Sequence, residues 1–203
     1  MRKAIPLLFC ALAMLSWGSA SAAPNAGKVL AMGGQSFIVA HGHRTALKLG
    51  AAVHAGDRVV VSKGGRLKLR MADGSIIAAG SGSHLTIDKY KVGGGTRDAE
   101  LSLTQGILRA IVSAFGASQH FEVSTATGVA AVRSTDWFIE AKPDATQVGV
   151  LHGVVTLTSA ATHRSVRIPA RWGARVEAGR DPVPPRVWSE AEFADVVART
   201  NVP

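Results

Sequence analysis

The sequence predicts an all-β fold, and three observations lead to this prediction. Apolar and polar residues alternate along many short segments, and glycine is frequent, with 22 residues in a chain of 203. Turn-forming glycine and aspartate residues separate the segments. Because side chains alternate between the two faces of a strand, a period of two indicates a strand with one buried face. Many such strands joined by tight turns are typical of an all-β domain.

Residues 66–71 form the clearest predicted strand. Leu67 shares one parity with Leu69 and Met71, and cations occupy the other parity at Arg66, Lys68 and Arg70. The same alternation recurs around residues 44–49, 59–61, 85–87, 101–103 and 121–123. Turns are predicted between these strands at residues 56–57, 64–65, 73–74, 80–82 and 93–95, where Gly tolerates the positive φ that tight reversals need.

The pattern changes after Val176. Pro184 and Pro185 cannot continue a hydrogen-bonded ladder. Ser189 is the expected N-cap of a short helix with an acidic first turn, and its apolar side (Phe193, Val196 and Val197) should pack on the sheet. We therefore expect one β domain over residues 23–180, followed by a Pro-rich linker and short helix over residues 181–203.

The first residues are typical of an export signal. Arg2 and Lys3 precede an apolar stretch over residues 5–17, and small residues follow at 20–22. We expect a signal peptide over residues 1–22, cleaved after Ala22, and a periplasmic protein without an integral membrane segment. An uncleaved membrane anchor remains the alternative. Cleavage would remove Cys10, the one cysteine, and would leave a basic protein without disulfides.

The segment Arg133-Ser134-Thr135-Asp136 combines a base, two hydroxyls and a carboxylate. A serine nucleophile needs a nearby general base, and His120 or His152 would have to approach through the fold. We interpret the segment as a corner between strands, with Arg133 and Asp136 bonded to the backbone or to each other and with Trp137 and Ile139 in the core. The prediction is a non-enzymatic protein without a catalytic residue.

No cofactor or metal site is predicted either. His41 and His43 would share one face of a strand, and His54 is the nearest third histidine, but a metal needs a complete ligand set with an ordered second shell. The glycine clusters do not precede a Lys-Ser/Thr pair and a helix, as a phosphate loop requires.

The cations of residues 66–71 suggest a basic face, together with Arg58 and with Arg44 and Lys48 nearby. Surface charges of this kind usually solvate a sheet and protect its edges. The alternative is a face that binds anionic envelope polymers or lipids. The basic composition, with a net charge of +9, does not by itself indicate nucleic acid, and no nucleic-acid partner is predicted.

Several segments, taken in order, resemble the FecR domain. They are HAGDRVVVSKGGRLKLRMADGSIIAAGSGSHLTI, LSLTQGILRAIV, HFEVSTATGVAAVRSTDWFIEA and TQVGVLHGVVTLT. The resemblance covers about residues 27–179. It implies a mostly β domain of solenoid-like or β-helix-like form in the bacterial periplasm, with a β-sandwich as the alternative. The best-known members pass signals from an outer-membrane transporter to a cytoplasmic sigma factor, through a membrane helix that we do not expect here.

One position departs from the family pattern. The signature Arg-Gly-Thr is represented by Arg133-Ser134-Thr135, and a positive φ at Ser134 would be strained. The resemblance predicts an exported, non-enzymatic interaction or signalling module for an unidentified envelope protein. Its predicted partner-binding residues are Arg66, Lys68, Arg70, Arg133, Ser134, Thr135 and Asp136.

Overall fold

A computed structural model describes residues 25–40, 42–116 and 118–202. The predicted signal peptide, Cys10 and His41 lie outside the described residues. Within them the chain forms seventeen strands and one helix. The elements are β1 (Asn25–Gly33), β2 (Ser36–Ala40), β3 (His43–Ala46), β4 (Ala52–His54), β5 (Arg58–Val61), β6 (Arg66–Met71), β7 (Ile76–Ala79), β8 (His84–Gly93), β9 (Thr96–Val112), β10 (Ser118–Ser124), β11 (Gly128–Val132), β12 (Thr135–Ala141), β13 (Ala145–His152), β14 (Val154–Ser159), β15 (Ser165–Pro169), β16 (Trp172–Glu177), β17 (Arg186–Val187) and α1 (Glu190–Thr200).

The strands form two sheets that share β9. Sheet A has the order β4-β1-β6-β7-β9-β12-β13-β16-β17. Sheet B has the order β3-β2-β5-β8-β9-β10-β11-β14-β15. The β9–β10 pair is parallel and the other pairs are antiparallel. The all-β prediction is confirmed. The chain crosses repeatedly between the sheets, so its course winds like a solenoid while its core lies between two facing sheets, as in a sandwich.

Strand β9 passes from sheet B to sheet A at Gly106. Its first part pairs with β8 up to Gln105, and its last part, from Gly106 to Val112, pairs with β12. Gly106 has a φ of +93°, and a Cβ there would lie 2.6 Å from the Cα of Ser83. The Ser83 hydroxyl closes this corner by donating to the carbonyl of Ile107 and accepting from its N–H, both at 3.0 Å. The crossing therefore requires glycine.

The main core lies between the sheets and follows the predicted parity, except around residues 44–49. The prediction is wrong there, because β3 ends at Ala46 with all four residues exposed and Leu49 is 70% exposed. Leu67, Leu69 and Met71 of β6 point inward and are at most 2% exposed. Trp137 and Ile139 of β12 are fully buried in the same core, as predicted. Alternation along each strand thus produces one apolar interior from both sheets.

A second, smaller core lies on the outer face of sheet A, beneath α1. Ser189 caps the helix as predicted: its hydroxyl accepts from the N–H of Glu192, and the Glu192 carboxylate accepts from the N–H of Ser189. Phe193 and Val196 are buried against Ile107 and Phe138. The helix therefore covers part of the outer face of sheet A.

Trp188 anchors the segment that leads into α1. It is 6% exposed and packs over Gly149 and Gly173 of sheet A. A Cβ at Gly149 would lie 2.4 Å from the Trp188 ring, and one at Gly173 would lie 2.0 Å from its Nε1. These two glycines form the depression that holds the indole. In the described part of the chain, no helix has the length and hydropathy that a membrane span requires.

Candidate functional site

The outer face of sheet A is only half covered, and the uncovered half is the candidate site. Strands β1, β6, β7 and β9 lie side by side there. The strand registers place Lys28 opposite Arg70, Arg70 opposite Ile76, and Ile76 opposite Ile111. Residues that face each other across adjacent strands share one face of the sheet. We call this surface the open strip and define it by Lys28, Leu30, Lys68, Arg70, Ile76 and Ile111.

Two large aliphatic side chains of the open strip are exposed to water. Ile111 is 41% exposed and Leu30, at a bulge of β1, is 38% exposed. They border a groove of about 320 Å³ whose floor includes Ala78, and the groove ends beside α1 at Thr200 and Asn201. A contiguous apolar surface rimmed by polar groups is typical of an interaction site.

The rim of the open strip is cationic. Among the described residues, no carboxylate lies within 4.0 Å of the charged groups of Lys28, Lys68 or Arg70. The neighbouring Arg109 differs, because its guanidinium binds the Asp136 carboxylate at 2.9 and 2.7 Å. The open strip therefore combines exposed aliphatic groups with uncompensated positive charge.

The larger basic stripe suggested by the sequence is divided between the two sheets. Lys68 and Arg70 lie on the outer face of sheet A, with Arg66 beside them on the same parity of β6. Arg58 belongs to β5 in sheet B, where it pairs with Thr86 of β8. The expectation of one stripe that includes Arg58 is wrong, since β5 and β6, although adjacent in sequence, lie in different sheets.

Arg44 is also separate from the open strip. It lies on β3, at the edge of sheet B, and its guanidinium stacks 3.6 Å from the centroid of the Phe37 ring.

The segment from Arg133 to Asp136 forms the corner where the chain crosses from β11 in sheet B to β12 in sheet A. Arg133 and Ser134 are exposed, and Thr135 is 5% exposed. Asp136 pairs with Arg109, so the alternative in which Arg133 and Asp136 bond to each other is wrong. The structure therefore separates the seven predicted binding residues: those of β6 lie on the outer face of sheet A, while Arg133 and Ser134 lie at the corner.

Ser134 does not need the backbone angle of a glycine. Among the described non-glycine residues, His163 and Arg171 have a positive φ, and Ser134 does not. The close approach at this corner falls instead on Gly153, with a φ of +88°, where a Cβ would lie 2.7 Å from the Ser134 carbonyl oxygen. The glycine requirement is met by the neighbouring turn.

A buried ion pair behind this corner was not recognised from the sequence. Arg97 donates to the carboxylate of Asp73 at 2.8 Å, and both side chains are fully buried. The same guanidinium donates to the carbonyls of Ser113 (2.9 Å) and Arg133 (2.8 Å). Arg97 therefore ties the corner at Arg133 to the start of β9. Asp73 was identified only as a turn residue, and no local pattern connects it to Arg97.

Asp73 accepts three further hydrogen bonds. They come from the Tyr90 hydroxyl at 2.7 Å, the Ser75 hydroxyl at 2.8 Å and the Ser75 N–H at 3.0 Å. Burial alone would raise the pKa of Asp73, but hydrogen bonds from Arg97, Tyr90 and Ser75 outweigh it and lower this pKa below its ordinary value of 3.8. Burial and the Asp73 charge raise the pKa of Tyr90. The Asp73 carboxylate is held entirely by internal partners, which favours a structural role, although the buried Nε of Arg97 has no hydrogen-bond partner among the described residues.

The described residues do not assemble a hydrolytic site around Ser134 or around Ser124, the last residue of β10. His120 lies 3.6 Å from Glu122, and no serine hydroxyl is hydrogen-bonded to its ring. Ser124 contacts the Ser102 hydroxyl at 3.0 Å and the Leu101 carbonyl at 3.3 Å. A catalytic serine needs a base that accepts its proton, so neither group is activated here.

One group of possible metal ligands does occur in the described part of the chain. Oxygen and nitrogen atoms of Asp98, Glu100 and His120 lie within 4.8 Å of one another. The Lys89 ammonium already contacts both carboxylates, at 3.0 Å from Glu100, and these contacts raise the pKa of Lys89. An internal cation thus occupies the position that a metal would take. His43 and His54, considered from the sequence, do not belong to this group.

Comparison with known proteins gives a match to one family model over part of the chain and does not give a specific role. The model of the family described as FecR protein matches residues 57–156. No curated protein matches the sequence. Two crystal structures titled as "a putative anti-sigma factor from Parabacteroides distasonis ATCC 8503" are similar, with TM-scores of 0.54 and 0.56 at 15% and 13% identity. Each covers 68% of this chain, which in turn spans 62% of the length of those chains. At this identity the similarity shows the fold.

Proposed function

We propose, on the premise that this chain is a FecR-domain protein, that it is an exported, non-enzymatic interaction module that binds a protein partner in the periplasm. The family and the fold of the similar anti-sigma factor structures support a signalling or regulatory module. The N-terminal sequence pattern, with Arg2 and Lys3 before an apolar stretch and small residues at 20–22, supports export with cleavage after Ala22.

The observation that carries the proposal is the open strip. Ile111 and Leu30 are exposed aliphatic side chains that line one groove, on a sheet whose outer face is also partly covered by α1. Contact with a partner would remove both from water, a gain proportional to the apolar area buried. The uncompensated cations Lys68 and Arg70 at the rim would favour negative charge on that partner.

Binding of an anionic envelope polymer or lipid remains the second candidate, because Lys28, Lys68 and Arg70 are neighbours on one face. Polyanion binding depends mainly on charge and decreases steeply with salt. Protein binding at the open strip would also depend on Ile111. Substitution of that side chain therefore distinguishes the two candidates.

Site-specific photo-crosslinking in the native bacterium tests the proposal. A photoreactive residue replaces Ile111, and a matched control replaces Val154, which is 40% exposed on the outer face of sheet B. We expect a discrete cross-linked envelope protein from position 111 and not from position 154. The same products at both positions, or none at position 111, would contradict the proposal. Periplasmic fractionation and N-terminal sequencing of the mature protein test the proposed export.

A further inference from the structure

We infer that the open strip binds an amphipathic helix that carries carboxylates beside its apolar side. This inference rests on the proposed function and specifies the chemistry of the partner at the same site.

The dimensions of the open strip suit one helix. It spans four neighbouring strands, and strands lie about 4.8 Å apart, so its width is about 14 Å. A helix with its side chains is about 10–12 Å across. The groove ends beside α1 at Thr200 and Asn201, so an incoming helix would lie next to α1 on the same sheet.

The other half of this face already shows the same mode of packing. Phe193 and Val196 of α1 rest on Ile107 and Phe138, while Arg199 of the helix pairs with Glu140 of the sheet. In the open strip the sheet again supplies aliphatic groups, but its charged residues are cations. A helix bound there would need the complementary sign, which aspartate and glutamate provide.

An added strand does not suit this surface. Strands β6, β7 and β9 are each paired on both sides, so their backbone groups are satisfied within sheet A. The edges of the sheet are β4 and β17, with three and two residues, and they lie outside the open strip. Recognition at the open strip must therefore use side chains that project from a preformed element, as a helix presents them.

A second copy of this chain is also a poor occupant. A symmetric dimer through this face would place Lys28, Lys68 and Arg70 opposite their own copies. The chain's own carboxylates are mostly bound to internal cations, including Asp136 to Arg109, Glu140 to Arg199 and Glu192 to Arg186. The charge complement must therefore come from a different protein.

Peptide selection on the full chain tests the inference. A phage library of peptides of about 16 residues, long enough for four helical turns, is selected on the immobilised protein. We expect enriched sequences with apolar residues at i, i+3, i+4 and i+7 and with flanking carboxylates. Synthetic versions should gain helical circular dichroism on binding. Enrichment of neutral or basic sequences, or of none, would overturn the inference.

Variants of the protein then test where the selected peptide binds and which side chains it requires. Ile111→Glu and the double variant Lys68→Glu/Arg70→Glu should each lower the affinity for the selected peptide by about tenfold or more, as the loss of central contacts does. Val154→Glu and Arg167→Glu, on the outer face of sheet B, should leave the affinity unchanged. A peptide with lysine in place of its carboxylates should regain affinity for the doubly reversed variant. Unchanged melting temperatures establish that each variant is folded.

Two outcomes separate this inference from the proposed function. If a partner cross-links at position 111 but no acidic helical peptide is selected, the inference of a bound helix is wrong, while the proposed function as an interaction module still holds. Phosphatidylglycerol vesicles that bind through Lys68 and Arg70, but are insensitive to Ile111→Glu, would overturn the inference in favour of a lipid-binding face.

Discussion

Replacement of Arg97 by methionine tests the internal network most directly. The variant removes the guanidinium and retains most of the side-chain volume. Asp73 then keeps its three hydrogen bonds from Tyr90 and Ser75 but loses the one cation that contacts it among the described residues. The carbonyl of Arg133, at the corner between the sheets, also loses its donor.

The expected loss of stability is large. Leaving one partner of a buried ion pair uncompensated costs about 3–5 kcal/mol. Domains are stable by about 5–15 kcal/mol, so this variant would lose about a fifth or more of the total. For a domain of this size, about 2–4 °C of melting temperature corresponds to 1 kcal/mol, and we expect a decrease of roughly 10 °C.

Urea denaturation followed by circular dichroism measures this effect. The matched control is Arg167→Met, on the exposed position of edge strand β15, where the change should be within about 0.5 kcal/mol. A loss below about 1 kcal/mol for Arg97→Met would refute the reasoning, because the carboxylate would then not depend on its cation.

The pH dependence supplies a second check. Because the pKa of Asp73 is lowered in the folded protein, its contribution to stability is present above its ordinary value of 3.8 and is lost as the pH falls through the lowered pKa. Without Arg97, the carboxyl loses a hydrogen bond that lowers its pKa, so the pKa of Asp73 rises relative to wild type and the variant binds its proton at a higher pH. The difference in the free energy of unfolding between wild type and Arg97→Met should therefore decrease as the pH falls from neutral into acid. A difference that is constant from neutral pH into acid would contradict the assignment.

Two further predictions concern glycine. Gly173→Ala should displace Trp188, because the new Cβ would lie 2.0 Å from its Nε1. We expect the free energy of unfolding to fall by about 1–3 kcal/mol and trypsin to release the C-terminal helix faster. Gly33→Ala, where a Cβ would have nothing within 4 Å, should be digested like wild type, and equal rates for the two variants would contradict the role of the depression. Ser134→Gly, which introduces the glycine of the FecR pattern, should lower the free energy of unfolding by about 0.5–1 kcal/mol, since Ser134 has no positive φ and glycine adds entropy to the unfolded chain. An increase in the free energy of unfolding, measured by urea denaturation, would show that the corner is strained.

Several features of the candidate site were predictable from local pattern. The cations of β6 were placed on the outward side because a strand alternates its faces regardless of its neighbours. The N-cap at Ser189 followed from the short polar side chain that precedes an acidic turn. Both predictions depend only on residues within one element.

Other features required pairing between distant parts of the chain. Ile76 and Ile111 are 35 positions apart in the sequence, and the β7–β9 register makes them neighbours. The bond from Arg109 to Asp136 crosses 27 positions, and that from Arg97 to Asp73 crosses 24. Local propensity carries no information about such contacts, because they depend on which loops close in the folded chain.

The sequence by itself determined the strand-rich class, the inward and outward parity of strands such as β6, the turn positions, the capped C-terminal helix and the resemblance to the FecR family. The tertiary structure decided which sheet each strand joins, and so separated Arg58 from Lys68 and placed Arg70 in register with Ile76, which is in turn in register with the exposed Ile111. The physical reason is that side-chain parity follows from the backbone geometry of one strand, whereas a binding surface follows from hydrogen-bonded registers between strands that are remote in sequence.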